Sequence, residues 1–410
     1  MASISVASLF NTQFRAIIIS DNGLPSVGRQ WGHMRSGELT NASSDGRQGL
    51  FTLMSQAQGR EEPFPARRLD GYLLVYDRFA DIAVIVPKLQ STCRPTGASM
   101  DVRSHSIFDR KTWSQLRSSV PLLLSEDELA LLLGVNEQLS IAEVEEIYLP
   151  LVRLINLHVR ASRNLSGVTD EFVGRLTHRR PFIIAIAGSV AVGKSTIARL
   201  LQLLLSRWPD HPRVDLITTD GFLWSRAKLL RDGLMDRKGF PESYDVRQMI
   251  GFLAQVRAGD IARAPVYSHL EYDTLTDVFD TVDGPDILIF EGLNVLQIGV
   301  GLDRGHAPVF TASDFFDLSI YIDAETEAIA QWYLDRFLIL QQTRMQDPAS
   351  YFHHLHDLSQ AQALHFGREL WSRINLPNLL ENILPTRFRA DVIIHKHADH
   401  SVDHLMLRRF

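Results

Sequence analysis

The segment GSVAVGKST at residues 188–196 constrains the fold more than any other part of the sequence. It follows the apolar run 182–187, which is typical of a buried strand, and a helical pattern begins at residues 198–201. A strand, a glycine-rich turn and a helix that carry G-x-x-x-x-G-K-[ST] form a phosphate-binding loop, whose backbone N–H groups bind phosphate oxygens. We therefore expect a nucleotide phosphate site built from Gly188, Ser189, Val190, Ala191, Val192, Gly193, Lys194, Ser195 and Thr196.

Short apolar runs alternate with helical stretches in the sequence beyond Pro181. The runs are residues 182–187, 214–218, 286–290, 318–322 and 391–394. Nearly continuous apolar strands that are separated by helices indicate a parallel sheet covered on both faces. The sequence therefore predicts an α/β fold of the P-loop NTPase type, with a parallel sheet sandwiched by helices.

The first part of the chain has a different character. Residues 1–104 mix polar residues, glycine and proline without sustained periodicity, apart from two short apolar runs at 72–76 and 82–86 that could form strands. We expect an N-terminal extension that is poorly ordered. Met100 stands at the change in composition, so one hypothesis is that the residues before it are dispensable.

The next part, residues 105–180, is predicted to be helical. Two patterns typical of a capping box, at Ser125 and Ser140, are each followed by apolar residues at helical spacing. We expect this helical segment to pack on a P-loop core that is formed by residues 181–410.

The composition excludes several classes of protein. The chain of 410 residues has a formal net charge of -6 and therefore no global basic field for nucleic acid or an anionic membrane. Its single cysteine, Cys93, excludes an intramolecular disulfide and a cysteine-built zinc site. No apolar run approaches the roughly 18 residues of a membrane-spanning helix. Arg15 alone in an acid-free N-terminus is a weak sign of a leader, so we expect a cytoplasmic protein.

Two carboxylates follow predicted strands, at the edge of the sheet where ligands bind in open α/β folds. Glu291 ends one apolar run and Asp220 closely follows another. Lys194 is expected to reach the β- and γ-phosphates, while the Ser195 hydroxyl and Glu291 supply oxygen ligands for Mg²⁺. The alternative for Glu291 is an acid that is simply solvated in a loop.

Asp220 is the candidate for the group that accepts the proton of a substrate hydroxyl. A carboxylate is too weak a base to deprotonate an alcohol in the ground state, so it must orient the hydroxyl and take the proton late. That role suits a loose phosphoryl-transfer transition state. Arg336 could neutralise charge on the transferring group, although an exposed arginine paired with Asp335 or Asp347 fits the pattern equally well.

A phosphate loop alone does not separate a kinase from other P-loop proteins, but six spaced motifs do. GSVAVGKST, LITTDGFL, KGFPESYD, PVYSHLEYD, FEGLNVLQ and NILPTR, in this order, closely resemble the bacterial-type (type I) pantothenate kinases. The similarity begins near Phe108 and runs essentially to the C-terminus. It implies ATP-dependent phosphorylation of pantothenate to 4'-phosphopantothenate, the opening step of coenzyme A synthesis. It also implies a cytosolic homodimer that coenzyme A inhibits in competition with ATP.

The resemblance implies roles for individual residues. It matches the family's catalytic lysine and aspartate to Lys194 and Asp220, and it implies that Arg336 contacts the nucleotide phosphates. Arg199 and His269 would contact coenzyme A. The residues that it implies around pantothenate are polar groups and aromatic rings that exclude water, namely Tyr267, His269, Tyr272, Tyr333, Phe352 and Asn375.

Three questions stay open at this stage. Leu340 stands where the resemblance suggests an aromatic residue, a departure that bears on the strength of inhibition by coenzyme A. Related P-loop kinases that act on uridine or ribulose phosphate, and a nucleotide-binding regulator without activity, are the competing interpretations; the absence of N-K-x-D disfavours a guanine-nucleotide switch. The histidines at 353–356 and 395–404 lack the spacing of a zinc site, and we expect them to be solvated.

Overall fold

The computed structural model describes residues 67–69, 72–77, 82–87, 104–118, 120–122, 124–174, 180–208, 210, 213–297 and 310–409. The chain forms two compact units, Met1–Gly97 and Ala98–Phe410. In the first unit, β1 (Arg67–Leu69), β2 (Tyr72–Asp77) and β3 (Ile82–Pro87) form an antiparallel sheet. The two apolar runs noted above correspond to β2 and β3. The rest of the expectation for residues 1–104, including the hypothesis about Met100, falls almost wholly outside the described residues.

The second unit is built on a seven-stranded sheet. Its strands are β4 (His105–Asp109), β5 (Phe182–Gly188), β6 (Val214–Thr218), β9 (Ile287–Glu291), β10 (Leu318–Ala324), β11 (Val392–Lys396) and β12 (Val402–Arg408), and they lie in the order β4-β12-β11-β10-β5-β9-β6. The five strands from β11 to β6 are parallel. The predicted α/β fold with a parallel sheet is confirmed.

Two antiparallel strands at one edge of the sheet were not predicted. Strand β12 pairs with β11, and β4 pairs with β12, both in antiparallel register. The sequence VDHLMLR of β12 mixes polar and apolar residues, so it lacks the continuous apolar run of the central strands. A separate antiparallel hairpin consists of β7 (Ala262–Ser268) and β8 (Asp273–Val282).

Helices cover the sheet. They are α1 (Arg110–Ser114), α2 (Glu126–Leu132), α3 (Leu149–Phe172), α4 (Lys194–Ser206), α5 (Arg226–Arg231), α6 (Val246–Ala258), α7 (Thr326–Gln342) and α8 (Gln360–Leu370). Ser125 forms the predicted capping box with Glu128 at the start of α2. Ser140 caps the short turn Ile141–Glu143, which leads through a π-helical turn into α3. Among the described helices, none is both long and apolar enough to cross a bilayer.

One large hydrophobic core is formed between the sheet and the helices that pack against it. Every residue of β5 is buried, because helices cover both faces of a central strand. Trp113 belongs to the same core, and its indole N–H donates to the Ile147 carbonyl at 2.9 Å. A smaller apolar cluster joins α7 to α8 around Phe337, Met345 and Leu355, and Leu340 packs against it. These contacts hold the helices that flank the site described next.

Candidate active site

The phosphate loop between β5 and α4 has the backbone that the motif requires. Gly193 precedes α4 with φ of 97°, a conformation that L residues with a side chain rarely adopt. Gly188 has φ of 144°, and a Cβ there would lie 2.6 Å from the Ile322 carbonyl of β10. Glycine is therefore required at both ends of the loop, once for conformation and once for the approach of the neighbouring strand.

Lys194 is buried at the start of α4. Its Nζ donates to the Ser189 carbonyl at 2.8 Å and lies 3.8 Å from Oε1 of Glu291. Burial lowers the pKa of Lys194, although Glu291 and Asp220 act in the opposite direction. The ammonium is thus held inside the loop by backbone and carboxylate, where a phosphate group would bring it a further anionic partner.

Glu291 ends β9 and is buried, so it is not the solvated loop acid considered above. It accepts a hydrogen bond from the Ser195 hydroxyl at 3.1 Å. Burial raises its pKa, and the Lys194 ammonium opposes that rise. Carboxylate and hydroxyl oxygens that converge beside a phosphate loop are the ligand types that Mg²⁺ prefers, so Ser195 and Glu291 fit this ion.

Asp220 lies in the turn that follows β6. The strand pairing sets Thr218 beside Glu291, so the two acids follow neighbouring parallel strands at the same edge of the sheet. The turn is packed against β7, since a Cβ on Gly221 would overlap the Pro265 carbonyl. The charge of Asp220 acts to raise the pKa of both Lys194 and His269. Asp220 therefore stands between the phosphate loop and a second group of side chains.

That second group is an aromatic cluster formed by β7, the turn into β8 and the segment after α7. Tyr272 is its centre: its ring stacks on Tyr351 with centroids 5.2 Å apart and meets Phe352 edge-on at 4.7 Å. Tyr267 meets His269 edge-on at 5.1 Å and Tyr272 at 6.4 Å. Burial raises the pKa of Tyr272 to about 12, so its phenol stays protonated and can donate a hydrogen bond.

Helix α7 contributes the other wall. The phenol of Tyr333 interacts with the Asn375 side chain, while burial raises the pKa of Tyr333 to about 12. Arg336 is exposed, and its charge lowers the pKa of both Lys194 and His269. Within the described parts of the chain Arg336 forms no ion pair, and Asp335 instead accepts a hydrogen bond from Gln331 at 2.8 Å. The alternative of a surface pair with Asp335 or Asp347 is therefore not seen.

Arg199 lies on α4, away from the aromatic cluster. Its guanidinium donates to the Leu132 carbonyl at 2.7 and 3.1 Å and to the Thr196 hydroxyl at 3.0 Å. It also acts to lower the pKa of Glu291. Arg199 thus joins the helical segment to the first turn after the phosphate loop.

Two lysines for which the sequence pattern predicts no role, Lys238 and Lys396, also lie at this edge. Nζ of Lys238 lies 3.5 Å from the ring centroid of Tyr272 and donates to the Tyr272 carbonyl at 2.8 Å. Burial lowers the pKa of Lys238 to about 8. Lys396 ends β11 and donates to the Val192 carbonyl of the phosphate loop at 3.3 Å. Because Lys396 closely follows a predicted apolar run, its position at this edge of the sheet could have been predicted from the sequence. Lys238 lies in a loop, where no sequence pattern indicates its position.

Two histidines of the C-terminal group are partnered rather than solvated. His395 lies 3.2 Å from Asp323, which raises the pKa of the imidazole, and its ring stacks on His404 with centroids 4.8 Å apart. Asp323 also accepts a hydrogen bond from Arg387 at 2.9 Å. The expectation that these histidines are solvated is wrong for His395, because a buried acid lies beside it, and for His400, which is buried and stacks on the ring of Trp332.

The chain is similar in sequence to known kinases. Residues 183–339 match the phosphoribulokinase / uridine kinase family. Pantothenate kinase from Mycolicibacterium smegmatis is 54% identical over 307 residues, which are 74% of this chain and 96% of that protein. Pantothenate kinase from Sorangium cellulosum is 52% identical over 309 residues, 75% of this chain and 99% of that protein. Among solved structures, phosphoribulokinase from Rhodobacter spheroides is 14% identical and covers 53% of this chain and 71% of its own, with a TM-score of 0.35.

The fold and the sequence relatives define a kinase of the P-loop class, whose co-substrate is ATP. More than half of the aligned residues are shared with relatives that are covered almost in full. The chain belongs to the pantothenate kinase family.

Proposed function

We propose that this protein transfers the γ-phosphoryl group of ATP to the terminal hydroxyl of pantothenate, giving 4'-phosphopantothenate, the first step of coenzyme A synthesis. The names of the relatives support this substrate. The observation that carries the proposal is the position of Asp220, in the turn after β6 that lies beside Glu291 and packs against β7 of the aromatic cluster. Its charge also acts to raise the pKa of Lys194, Lys238 and Tyr272. A hydroxyl held by Asp220 would therefore face both a nucleotide and a pocket for a small polar molecule.

In the proposed mechanism the loop amides and Lys194 bind the ATP phosphates, and Asp220 orients the substrate hydroxyl for in-line attack. Bond formation to the attacking oxygen and cleavage of the bond to ADP proceed through a loose transition state, and Asp220 takes the hydroxyl proton late. Arg336 would neutralise charge on the transferring group. Its lack of an ion-pair partner among the described residues supports this role.

Mg²⁺ is proposed to be held by the Ser195 hydroxyl and Glu291. The ion would neutralise charge on the ATP phosphates when it is bound. Glu291 accepts a hydrogen bond from the Ser195 hydroxyl at 3.1 Å. The two oxygens are therefore close enough to support binding of one Mg²⁺ by both side chains. Chelation of divalent cations is expected to abolish ADP release, and addition of Mg²⁺ to restore it.

Pantothenate is proposed to occupy the cluster made by Tyr267, His269, Tyr272, Tyr333, Phe352 and Asn375. Pantothenate is a flexible polar acid, so hydrogen-bonding phenols on rings that exclude water suit it. The nearby cation of Lys238 adds attraction for an anionic substrate. The ammonium of Lys238 lies over the ring of Tyr272, and the charge of Asp220 acts to raise its pKa. Both observations support a position for Lys238 at the proposed pantothenate pocket.

Inhibition by coenzyme A in competition with ATP is a further part of the proposal. The inhibitor would contact Arg199 and His269. Leu340 is partly buried against the small apolar cluster between α7 and α8, where an aromatic side chain would offer more surface to the inhibitor's pantetheine arm. Leu340→Phe is therefore expected to strengthen inhibition by coenzyme A while the rate without inhibitor is maintained. Equal inhibition of both proteins would show that residue 340 does not set its strength.

A cytoplasmic homodimer is also proposed, and the outer half of α3 supports it. Leu165, Val168 and Phe172 follow at helical spacing and are 69%, 64% and 88% exposed. Arg160 and Glu171 are both exposed and flank this face on one side, with Leu165 midway between them. Antiparallel pairing of two copies about Leu165 would bring each arginine to the partner's glutamate, in addition to covering the apolar side chains.

The dimer proposal is tested by solution mass. Phe172→Glu is expected to shift the protein from dimer to monomer in light scattering. Leu131→Glu is the matched control, because Leu131 is 86% exposed but lies on α2. Dissociation by both variants, or by neither, would mean that the α3 face is not the interface.

An acceptor panel tests the substrate. Purified protein with Mg²⁺ and ATP is expected to release ADP with pantothenate and not with uridine or ribulose 5-phosphate. Residues 183–339 match the phosphoribulokinase / uridine kinase family, so uridine and ribulose 5-phosphate are included as the rival acceptors. Release with uridine and none with pantothenate would replace the proposed acceptor, and no release with any acceptor would favour a nucleotide-binding regulator.

A further inference from the structure

Two hydroxyls lie buried beneath the carboxylate edge without serving the reaction as described so far. Thr219 precedes Asp220 and is 2% exposed, and Tyr244 is 4% exposed. Neither the Thr219 hydroxyl nor the Tyr244 phenol has a hydrogen-bond partner within the described part of the structure. A buried polar group without a partner destabilises the fold, so its presence calls for a functional reason.

Thr219 is wedged between the two strand ends that carry the acids. Since Thr218 pairs with Glu291, the next residues, Thr219 and Gly292, continue side by side. A Cβ on Gly292 would lie 2.6 Å from Cγ2 of Thr219 and would overlap its hydroxyl. Glycine at 292 thus makes room for the Thr219 side chain between Asp220 and Glu291.

Tyr244 approaches the same point from another segment. Leu223 and Tyr244 form an antiparallel bridge, and Asp245 N–H donates to the Phe222 carbonyl at 2.7 Å. The pKa of Tyr244 is raised well above its usual value, first by burial and then by the charge of Asp220. The Thr219 hydroxyl is near enough to lower it, although the two hydroxyls do not meet the geometry of a direct hydrogen bond in the resting fold. The phenol is therefore a permanent donor beside both Thr219 and the carboxylates.

We infer that Thr219 and Tyr244 are positioning residues whose hydroxyls hold Asp220 and Glu291 in register once the site is loaded. Tyr244 donates toward Thr219, and the Thr219 hydroxyl donates toward the carboxylate edge. The strand ends fix the backbone of the two acids, and the hydroxyl pair restricts where their side chains point. This inference rests on the proposed function, because it assigns Asp220 and Glu291 their roles in phosphoryl transfer.

Three substitutions separate hydrogen bonding from packing. Thr219→Val keeps the shape and removes the hydroxyl, so kcat is expected to fall about 10- to 100-fold from misplacement of the acids. Thr219→Ser keeps the hydroxyl, and its kcat is expected to stay within about 3-fold of the parent. Tyr244→Phe is expected to resemble Thr219→Val, and the double variant to be little worse than either, because residues that act as one unit are not additive. KM for ATP and pantothenate should change little in all of them.

Thermal unfolding provides a readout that needs no substrate. Thr219→Val and Tyr244→Phe replace unpartnered hydroxyls by apolar groups of similar shape, so the unfolding midpoint is expected to stay level or rise. The matched control is Thr386→Val: the Thr386 hydroxyl is buried and donates to the Ile383 carbonyl at 2.7 Å. That variant is expected to lose stability and keep its kcat.

The outcomes distinguish the two proposals. Parental kcat in Thr219→Val, or an equal loss of kcat in Thr219→Ser, would overturn the positioning role. A fall in the midpoint of Thr219→Val as large as that of Thr386→Val would overturn it too, because the hydroxyl would then be partnered in the resting fold. Absence of pantothenate phosphorylation by the parent protein would refute the proposed substrate. The unfolding midpoints of Thr219→Val, Tyr244→Phe and Thr386→Val would still test whether the Thr219 and Tyr244 hydroxyls lack partners in the resting fold.

Discussion

The phosphate-loop side of the site and the aromatic side are assembled in different ways. The first is made by strand ends of one buried sheet, so the main chain fixes Lys194, Asp220 and Glu291. The second gathers side chains from a hairpin, from α7 and from the segment around Phe352, and ring contacts hold them together. The proposed chemistry thus falls on rigid elements, whereas the proposed substrate pocket is formed by parts that pack side chain against side chain.

The contrast predicts that changes on the phosphate-loop side reduce turnover most. Asp220→Asn should lower kcat about 10³-fold, since the amide cannot accept the hydroxyl proton. ATP affinity, measured by calorimetry, should remain within a few-fold because Lys194 and the loop are untouched. Asp215→Asn, near the opposite end of β6, serves as the control. An Asp220→Asn protein with the parental rate would remove Asp220 from the mechanism.

The junction between the two sides can be broken at Gly221. A methyl group there would overlap the Pro265 carbonyl, so Gly221→Ala should lower the free energy of unfolding by about 1–3 kcal/mol through overpacking. Gly251→Ala is the matched control, because its Cβ meets nothing within 4 Å and a helical glycine gains about 1 kcal/mol on becoming alanine. Denaturant unfolding measures both. Equal stability of the two variants would show that the turn and β7 can separate without cost.

On the aromatic side the expected effect is smaller and falls on binding. Tyr272→Leu removes the stack on Tyr351 and the edge contact with Phe352, and the KM for pantothenate should rise about 10-fold. The KM for ATP should be unchanged. A loss that appeared in kcat alone would place Tyr272 with the reacting groups instead of the pocket wall.

The smallest expected effect is a dependence on pH. Lys238 has a pKa lowered to about 8 by burial, so it is charged below that value and loses its proton as the pH rises through it. The value of kcat/KM for pantothenate should therefore decline about 3-fold above pH 8 as the attraction for an anion fades. Lys238→Arg should remove the decline in kcat/KM near pH 8, because a guanidinium stays protonated at that pH. An identical profile in this variant would assign the decline to another group.

The difference between the two sides also explains what could be predicted from the sequence. Glu291 directly follows an apolar run, Asp220 closely follows another, and Lys194 lies in the loop motif after a third. A parallel sheet brings the ends of such runs to one edge. Lys238 and Tyr351 lie in loops, and only tertiary packing brings them beside Tyr272. Thr219 and Tyr244 resemble ordinary core residues, because a missing hydrogen bond leaves no trace in the sequence. The site roles themselves stay predictions until the variants are measured.

The antiparallel edge of the sheet has a consequence for how the protein is made. Strand β4 comes at the start of the kinase unit, and among the described strands its partner is β12, which lies far along the sequence from it. On the ribosome β4 must wait for nearly the entire unit to emerge before its partner exists. Contacts between residues so distant in sequence slow folding. Until β12 is available, the unpaired edge of β4 can pair with strands of other molecules. A protein with this topology completes its sheet only once β12 has been made, so its early folding depends on how well the unpaired edge of β4 is shielded.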